Sequence, residues 1–159
     1  MKVSVIMGSA SDREIAEKVV NTLKEFNIEY EAKVISAHRA IDVLQAYINE
    51  IENDDFEVVI ALAGKAAHLA GVIAGLTTIP VIGVPIKSST MDGMDSLLST
   101  VQMPKGIPVA TVAINGGENA ALLAASMLAI KDNNLKDRLR QYRIDLKNSV
   151  VEADKNLGL

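Results

Sequence analysis

Short β-rich runs alternate with segments of helical length from one end of this chain to the other, and that alternation narrows the possible folds more than any other feature. The runs occupy residues 3–7, 31–35, 58–62, 81–84 and 109–114. Strands that alternate with helices build βαβ units, so a parallel sheet covered by helices on both faces is predicted. No linker and no internal repeat divides the 159 residues, a length that suits one domain. Apolar residues make up 49% of the chain and aromatic ones only 3%, so the interior must be filled by aliphatic side chains and alanine.

The first helix is expected to open at Ser11-Asp12-Arg13-Glu14, which fits a Ser-x-x-Glu capping box, with Ile15, Val19, Val20 and Leu23 following at helical spacing. A second helix is predicted over residues 41–51, with Val43, Leu44, Tyr47 and Ile48 inward, and a short one over residues 96–101. Between Pro85 and Pro108 the pattern loosens, and so long an excursion in a compact domain argues for a function. Residues 119–130 read Asn-Ala-Ala-Leu-Leu-Ala-Ala-Ser-Met-Leu-Ala-Ile. A helix without a polar face must be buried on every side, from which subunit contact is inferred, with the alanines close-packed near a symmetry axis. The last helix, from residue 134 to about 153, carries Leu135, Leu139, Tyr142, Leu146 and Val150 on one stripe. Its Arg138, Arg140, Arg143 and Lys147 read as a solvated face.

Charge removes several function classes. Sixteen Lys and Arg against 20 Asp and Glu give a formal charge of -4, which offers no general attraction to nucleic acid or anionic lipid, so any anion site must be local. The absence of cysteine rules out disulfides and thiolate catalysis and is compatible with a reducing compartment. Met1-Lys2 leads straight into the first strand without signal-peptide architecture, and the apolar stretch over residues 66–79 is shorter than the roughly 20 residues a membrane span needs. A soluble, cytoplasmic protein without membrane or nucleic-acid partners is expected.

Only two histidines are present, and each lies in a short loop directly after a strand-like run. Imidazole is the side chain best suited to proton transfer near neutrality, and open α/β sheets bind their ligands at the carboxyl ends of the strands. His38 stands in Ser36-Ala37-His38-Arg39, where the adjacent arginine offers an anionic substrate a fixed countercharge and bidentate donors. His68 stands in Gly64-Lys65-Ala66-Ala67-His68, a loop small enough for backbone N–H groups to face an oxyanion or carboxylate. Gly8-Ser9-Ala10-Ser11-Asp12 follows the first strand. Its glycine permits close backbone approach, Ser9 and Ser11 can hold phosphate, and Asp12 can bond ribose hydroxyls. The Walker A and Gly-x-Gly-x-x-Gly spacings are both absent, and no clustered His, Asp and Glu pattern suggests a metal.

Met7-Gly8-Ser9-x-Ser11-Asp12, Ser36-Ala37-His38-Arg39, Ala66-Ala67-His68-Leu69, Pro80-Val81-Ile82-Gly83-Val84-Pro85, Asp95-Ser96-Leu97-Leu98-Ser99, the run from Val101-Gln102-Met103-Pro104 to Ile114, and Asn119-Ala120-Ala121-Leu122-Leu123-Ala124 follow one another in order. Together they resemble the class I N5-carboxyaminoimidazole ribonucleotide mutases of bacterial purine biosynthesis, from about residue 3 to residue 130. The resemblance implies a single three-layer α/β domain over residues 1–159 with a flavodoxin-like parallel sheet, assembled as a homo-octamer without metal or organic cofactor. It implies a reaction that moves the carboxyl group of the N5-carbamate to ring carbon C4, giving 4-carboxy-5-aminoimidazole ribonucleotide. His38 is then the general acid/base, Ser9, Asp12 and Arg39 bind the ribose phosphate, and Ser11, Ser36 and His68 complete the substrate site.

Two departures stand out. The mutase loop usually reads Gly-Gly-Ala-Ala-His-Leu-Pro-Gly where this chain has Gly64-Lys65-Ala66-Ala67-His68-Leu69-Ala70-Gly71, and Thr-Pro usually follows the His-Arg pair where Ala40-Ile41 follow here. If the Lys65 position needs a backbone angle that favours glycine, lysine there is strained; if not, its ammonium can meet the migrating carboxylate or point to solvent. The alternatives to a mutase are an aminoimidazole ribonucleotide carboxylase that uses free carbon dioxide, and a non-catalytic nucleotide-binding module.

Overall fold

The computed structural model describes residues 1–158. Five strands, β1 (Lys2–Met7), β2 (Glu29–Val34), β3 (Phe56–Gly64), β4 (Val81–Ile86) and β5 (Ala110–Thr111), form one sheet in the order β2-β1-β3-β4-β5. Every pairing is parallel, and the order is that of the flavodoxin-like doubly wound sheets. Six helices cover it: α1 (Arg13–Glu25), α2 (Ile41–Glu52), α3 (Leu69–Leu76), α4 (Met94–Val101), α5 (Gly117–Leu128) and α6 (Asn133–Lys155). Among the described residues no helix is long and apolar enough to cross a membrane.

The two-residue period of a strand sorts the core into two layers. Val3, Val5 and Met7 of β1, with Val58, Ile60 and Leu62 of β3, face α1 and α5. Ile6, Val59 and Ala61 point the other way, onto Leu44 and Ile48 of α2 and Leu69 and Ile73 of α3. α4 joins this second layer through Gly83 of β4, where a Cβ atom would lie 2.3 Å from Thr100 Cγ2. Only glycine lets that helix approach so closely.

Several boundaries differ from expectation for identifiable reasons. β2 begins at Glu29, two residues before the predicted run, and α4 begins at Met94, two residues before the predicted helix. The capping box lies at Ser9 and Asp12, around a 3-10 turn over Ala10–Asp12, and not at Ser11 and Glu14. Val43 is exposed, so the inward stripe of α2 is Leu44, Tyr47, Ile48 and Ile51. β5 stops at Thr111 although apolar residues continue to Ile114. Val112 N–H still donates to the Gly83 carbonyl at 3.1 Å, but the reciprocal donor of a parallel ladder would be the amide of residue 85. Pro85 has none, and the ladder ends.

α5 requires the main correction. Ala120, Ala121, Ala124 and Ala125 are all fully buried within a single chain, against α1 and the sheet. At Gly117 an added Cβ would lie 2.7 Å from the Ile15 carbonyl oxygen. The small side chains serve close packing of α5 on α1, so the inference from this helix to subunit contact loses its ground. The last helix behaves differently. Leu135 is buried, Leu139 and Tyr142 are half-buried, with Tyr142 stacked edge-on against Phe26 at 5.6 Å between ring centres, and Leu146 and Val150 are exposed. Ala124→Glu is therefore expected to destabilise the folded chain itself by more than about 3 kcal/mol, because it overpacks a tight contact and buries a charge. Denaturant unfolding at several protein concentrations checks this: the loss should not depend on concentration.

Candidate active site

Three loops meet where β1, β2 and β3 end. Gly8–Asp12 follows β1, Ser36–Arg39 follows β2 and Gly64–His68 follows β3, and together with Ile86–Ser89 after β4 they line a cleft of about 690 Å³. Ser9, Ser11, Asp12, Ser36, His38, Arg39 and His68, all singled out in the sequence, lie in this one cleft. Lys87, Ser88 and Ser89 were not singled out individually. The loose stretch after Pro85 was their only signal, and Ser88 anchors it by donating to both carboxylate oxygens of Asp95 at 3.0 and 2.8 Å.

The first loop is organised by its own hydrogen bonds. Ser9 N–H donates to Asp12 Oδ2 at 3.1 Å, and Ser9 Oγ accepts from the Ser11 amide at 3.3 Å and the Ser11 hydroxyl at 2.9 Å. Ser9 Oγ is thus used as an acceptor, and its own O–H remains available to donate to a ligand oxygen. Asp12 is only 5% exposed. Burial pushes its carboxyl above the ordinary carboxylate value, opposed by the Ser9 amide and the Ser11 hydroxyl. Arg39 ties the second loop to the first, donating from Nη2 to the Gly8 carbonyl at 3.3 Å and from Nε to Ser36 Oγ at 3.2 Å. The remaining N–H groups of its exposed guanidinium can meet an anion beside Ser9.

The two histidines are bonded to each other. His38 Nε2 lies 3.0 Å from His68 Nδ1, and the rings meet edge to face at 71° with centres 5.1 Å apart. One proton occupies that bond, so the tautomer of one ring dictates that of the other. When both rings are protonated, both facing nitrogens are donors and the bond cannot form. Either ring can thus hold a proton for a bound substrate while its partner fixes its orientation.

Lys65 resolves the alternative left open by its sequence. Its φ is 57°, in the left-handed region, which L side chains enter at a cost of roughly 1–2 kcal/mol. The position does favour glycine, and lysine is strained there; that backbone angle does not decide where the exposed ammonium goes, so strain and a carboxylate partner are compatible.

The model of the AIR carboxylase family matches residues 2–149. The chain belongs to this family. It is 53% identical over 152 residues to the N5-carboxyaminoimidazole ribonucleotide mutase of Saccharolobus solfataricus, a match that covers 96% of each chain. With the mutase of the same name from Methanocaldococcus jannaschii it shares 52% identity over 155 residues, covering 98% of this chain and 96% of the relative. Among solved structures, Treponema denticola PurE superimposes with a TM-score of 0.91 at 32% identity over 98% of both chains. Family membership leaves the lysine unexplained, and its strain can be measured: Lys65→Gly is expected to stabilise the folded protein by about 1 kcal/mol, read as a rise in the urea midpoint with an unchanged slope.

Proposed function

We propose that the protein is an N5-carboxyaminoimidazole ribonucleotide mutase, moving the carboxyl group from the exocyclic nitrogen to C4 to give 4-carboxy-5-aminoimidazole ribonucleotide in purine biosynthesis. The observation that carries this reading is the hydrogen-bonded His38–His68 pair in the same cleft as the Arg39-linked hydroxyl loop. Arg39 and the hydroxyls of Ser9, Ser11 and Ser36 hold the phosphate. Asp12 accepts from the ribose hydroxyls. As the carbamate C–N bond breaks, its electron pair stays on nitrogen, which takes a proton from His38, and carbon dioxide is set free inside the cleft. The enamine-like C4 attacks that carbon dioxide, a C–C bond forms, and His38 removes the C4 proton. The proton count is unchanged over the cycle. Confinement keeps carbon dioxide at high effective concentration, a gain of proximity.

His68, bonded to Nε2 of His38, orients the ring that carries the proton. The fold, one domain over residues 1–159, acts in the cytoplasm as a closed homo-oligomer, eight subunits being the number the mutase resemblance implies. Support for assembly comes from Met94, Leu98 and Val101 of α4 and from Leu146, Val150 and Val151 of α6, all exposed apolar residues on helical faces. Scattered apolar residues are ordinary on a surface, but stripes of them mark contact faces. Light scattering is expected to give a mass several times 17.0 kDa, and a monomer at micromolar concentration would refute the assembly.

Supplying each substrate separately tests the reaction. Conversion of the N5-carbamate without added bicarbonate identifies a mutase, conversion of aminoimidazole ribonucleotide with free carbon dioxide identifies a carboxylase, and binding without turnover identifies a non-catalytic module. His38→Asn should cut turnover by about 10²–10⁴ while leaving nucleotide affinity within about tenfold. Arg39→Ala should instead weaken binding of the phosphorylated substrate by about 2–5 kcal/mol, measured by calorimetry against the dephosphorylated nucleoside. Near-normal turnover in His38→Asn overturns the proton assignment.

A further inference from the structure

The cleft is a positive site in a negative protein. The chain carries a formal charge of -4, yet Arg39, Lys65 and Lys87 line the cleft against the single carboxylate of Asp12. The cations are not equally free. Arg39 is held by the Gly8 carbonyl and Ser36, and Lys87 pairs with Asp92 at 3.1 Å. The Lys65 ammonium forms no ion pair and no hydrogen bond among the described residues.

Lys65 also holds a backbone conformation that glycine would adopt more easily. The side chain thus weakens the fold and gains no polar partner in exchange within the chain. Strain of this kind at a cleft points outward, to a ligand. Position says which part of the ligand. The cleft loops leave β2, β1 and β3 in that spatial order, and neighbouring strands lie about 4.8 Å apart, so the ends of β2 and β3 are separated by roughly 10 Å. Arg39 stands at the β2 end beside the hydroxyl loop, Lys65 stands at the β3 end, and the histidine pair bridges between them. A ligand that satisfies both cations carries a phosphomonoester at one end and a second anionic group at the other.

We propose that Lys65 is a further substrate-binding residue, whose ammonium receives the carboxylate of the carboxylated aminoimidazole ribonucleotide. This rests on the mutase reading above. A bound nucleotide displaces water from the cleft, and the lower dielectric strengthens the ammonium–carboxylate pair. The pair holds the carboxyl group through binding and holds the carboxylated product after the C–C bond has formed.

The test compares equilibrium binding of two probes, 4-carboxy-5-aminoimidazole ribonucleotide and 5-aminoimidazole ribonucleotide, which differ only in the carboxylate. Lys65→Met keeps the Cβ atom and the long stem while removing the charge. It is expected to weaken the carboxylated probe by at least tenfold and to leave the other within about twofold, with the loss shrinking as salt rises. KM for the carbamate should rise by a similar factor. Lys65→Arg should recover most of the affinity, whereas Lys65→Gly should lose it while unfolding at a higher temperature than the parent. Equal losses for both probes, or none for either, overturn the assignment of Lys65. If the parent protein binds both probes and turns over the carbamate, that result leaves the mutase reading intact. If the parent binds neither probe, the mutase reading itself falls and takes this inference with it.

Discussion

The chain leaves β1 towards β2 on one side and, after α2, enters the sheet again as β3 on the other. That reversal of direction about β1 is the constraint on which the ligand end of the molecule depends. Connections that depart to opposite faces cannot cover the top of the strand they leave, so a crevice opens there. The loops after β1, β2 and β3 all border it. Residues as far apart in sequence as Gly8 and Arg39, or His38 and His68, are brought into contact there, by sheet order and not by local preference.

The same end of the fold is less stable than it could be. Asp12 is a buried carboxyl whose pKa burial raises. Its contribution to stability is therefore present below the ordinary carboxylate pKa and is lost as pH rises through the higher value in the folded protein. Once ionised the group costs stability, and Lys65 adds the cost of a left-handed backbone. Among the described residues Asp12 is the one charged side chain that is buried, and the aliphatic core otherwise packs without charged groups. On the proposed substrate contacts a bound nucleotide offsets both costs, its ribose hydroxyls donating to the carboxylate and its carboxyl group meeting the ammonium. Ligand binding and folding stability are linked in this way through two side chains on different loops.

Much of this was legible in the sequence. The parallel sheet followed from alternating β-rich and helical segments, and the loops carrying Ser9, His38 and His68 followed from their places after strands. What could not be read is informative. The direct bond between His38 and His68 joins residues 30 apart, and no spacing rule reports a contact that depends on two strands lying either side of a third in the sheet. The burial of Ala124 and Ala125 inside one chain was misread because an apolar helix has the same pattern whether its neighbour is α1 or another subunit. Ser9 displaced Ser11 as the cap because the 3-10 turn uses the residues that would have opened the helix. The left-handed Lys65 gives a local signal, a lysine where glycine was expected, but the backbone angle that makes it costly is set by the fold around the loop and not by the residue itself.

Pro85 has a consequence beyond shortening a strand. An exposed sheet edge is a template on which another chain can add its own strand, and long flat edges are where ordered aggregates grow. Here β5 offers two ladder residues, Ala110 and Thr111, before the missing amide of Pro85 ends it. At the opposite edge β2 presents Glu29, Glu31 and Lys33, with Lys33 Nζ held 2.9 Å from Glu31. A charged edge on one side and an abbreviated one on the other leave a five-stranded parallel sheet, rich in valine and isoleucine, with no margin along which it can be extended into a fibril.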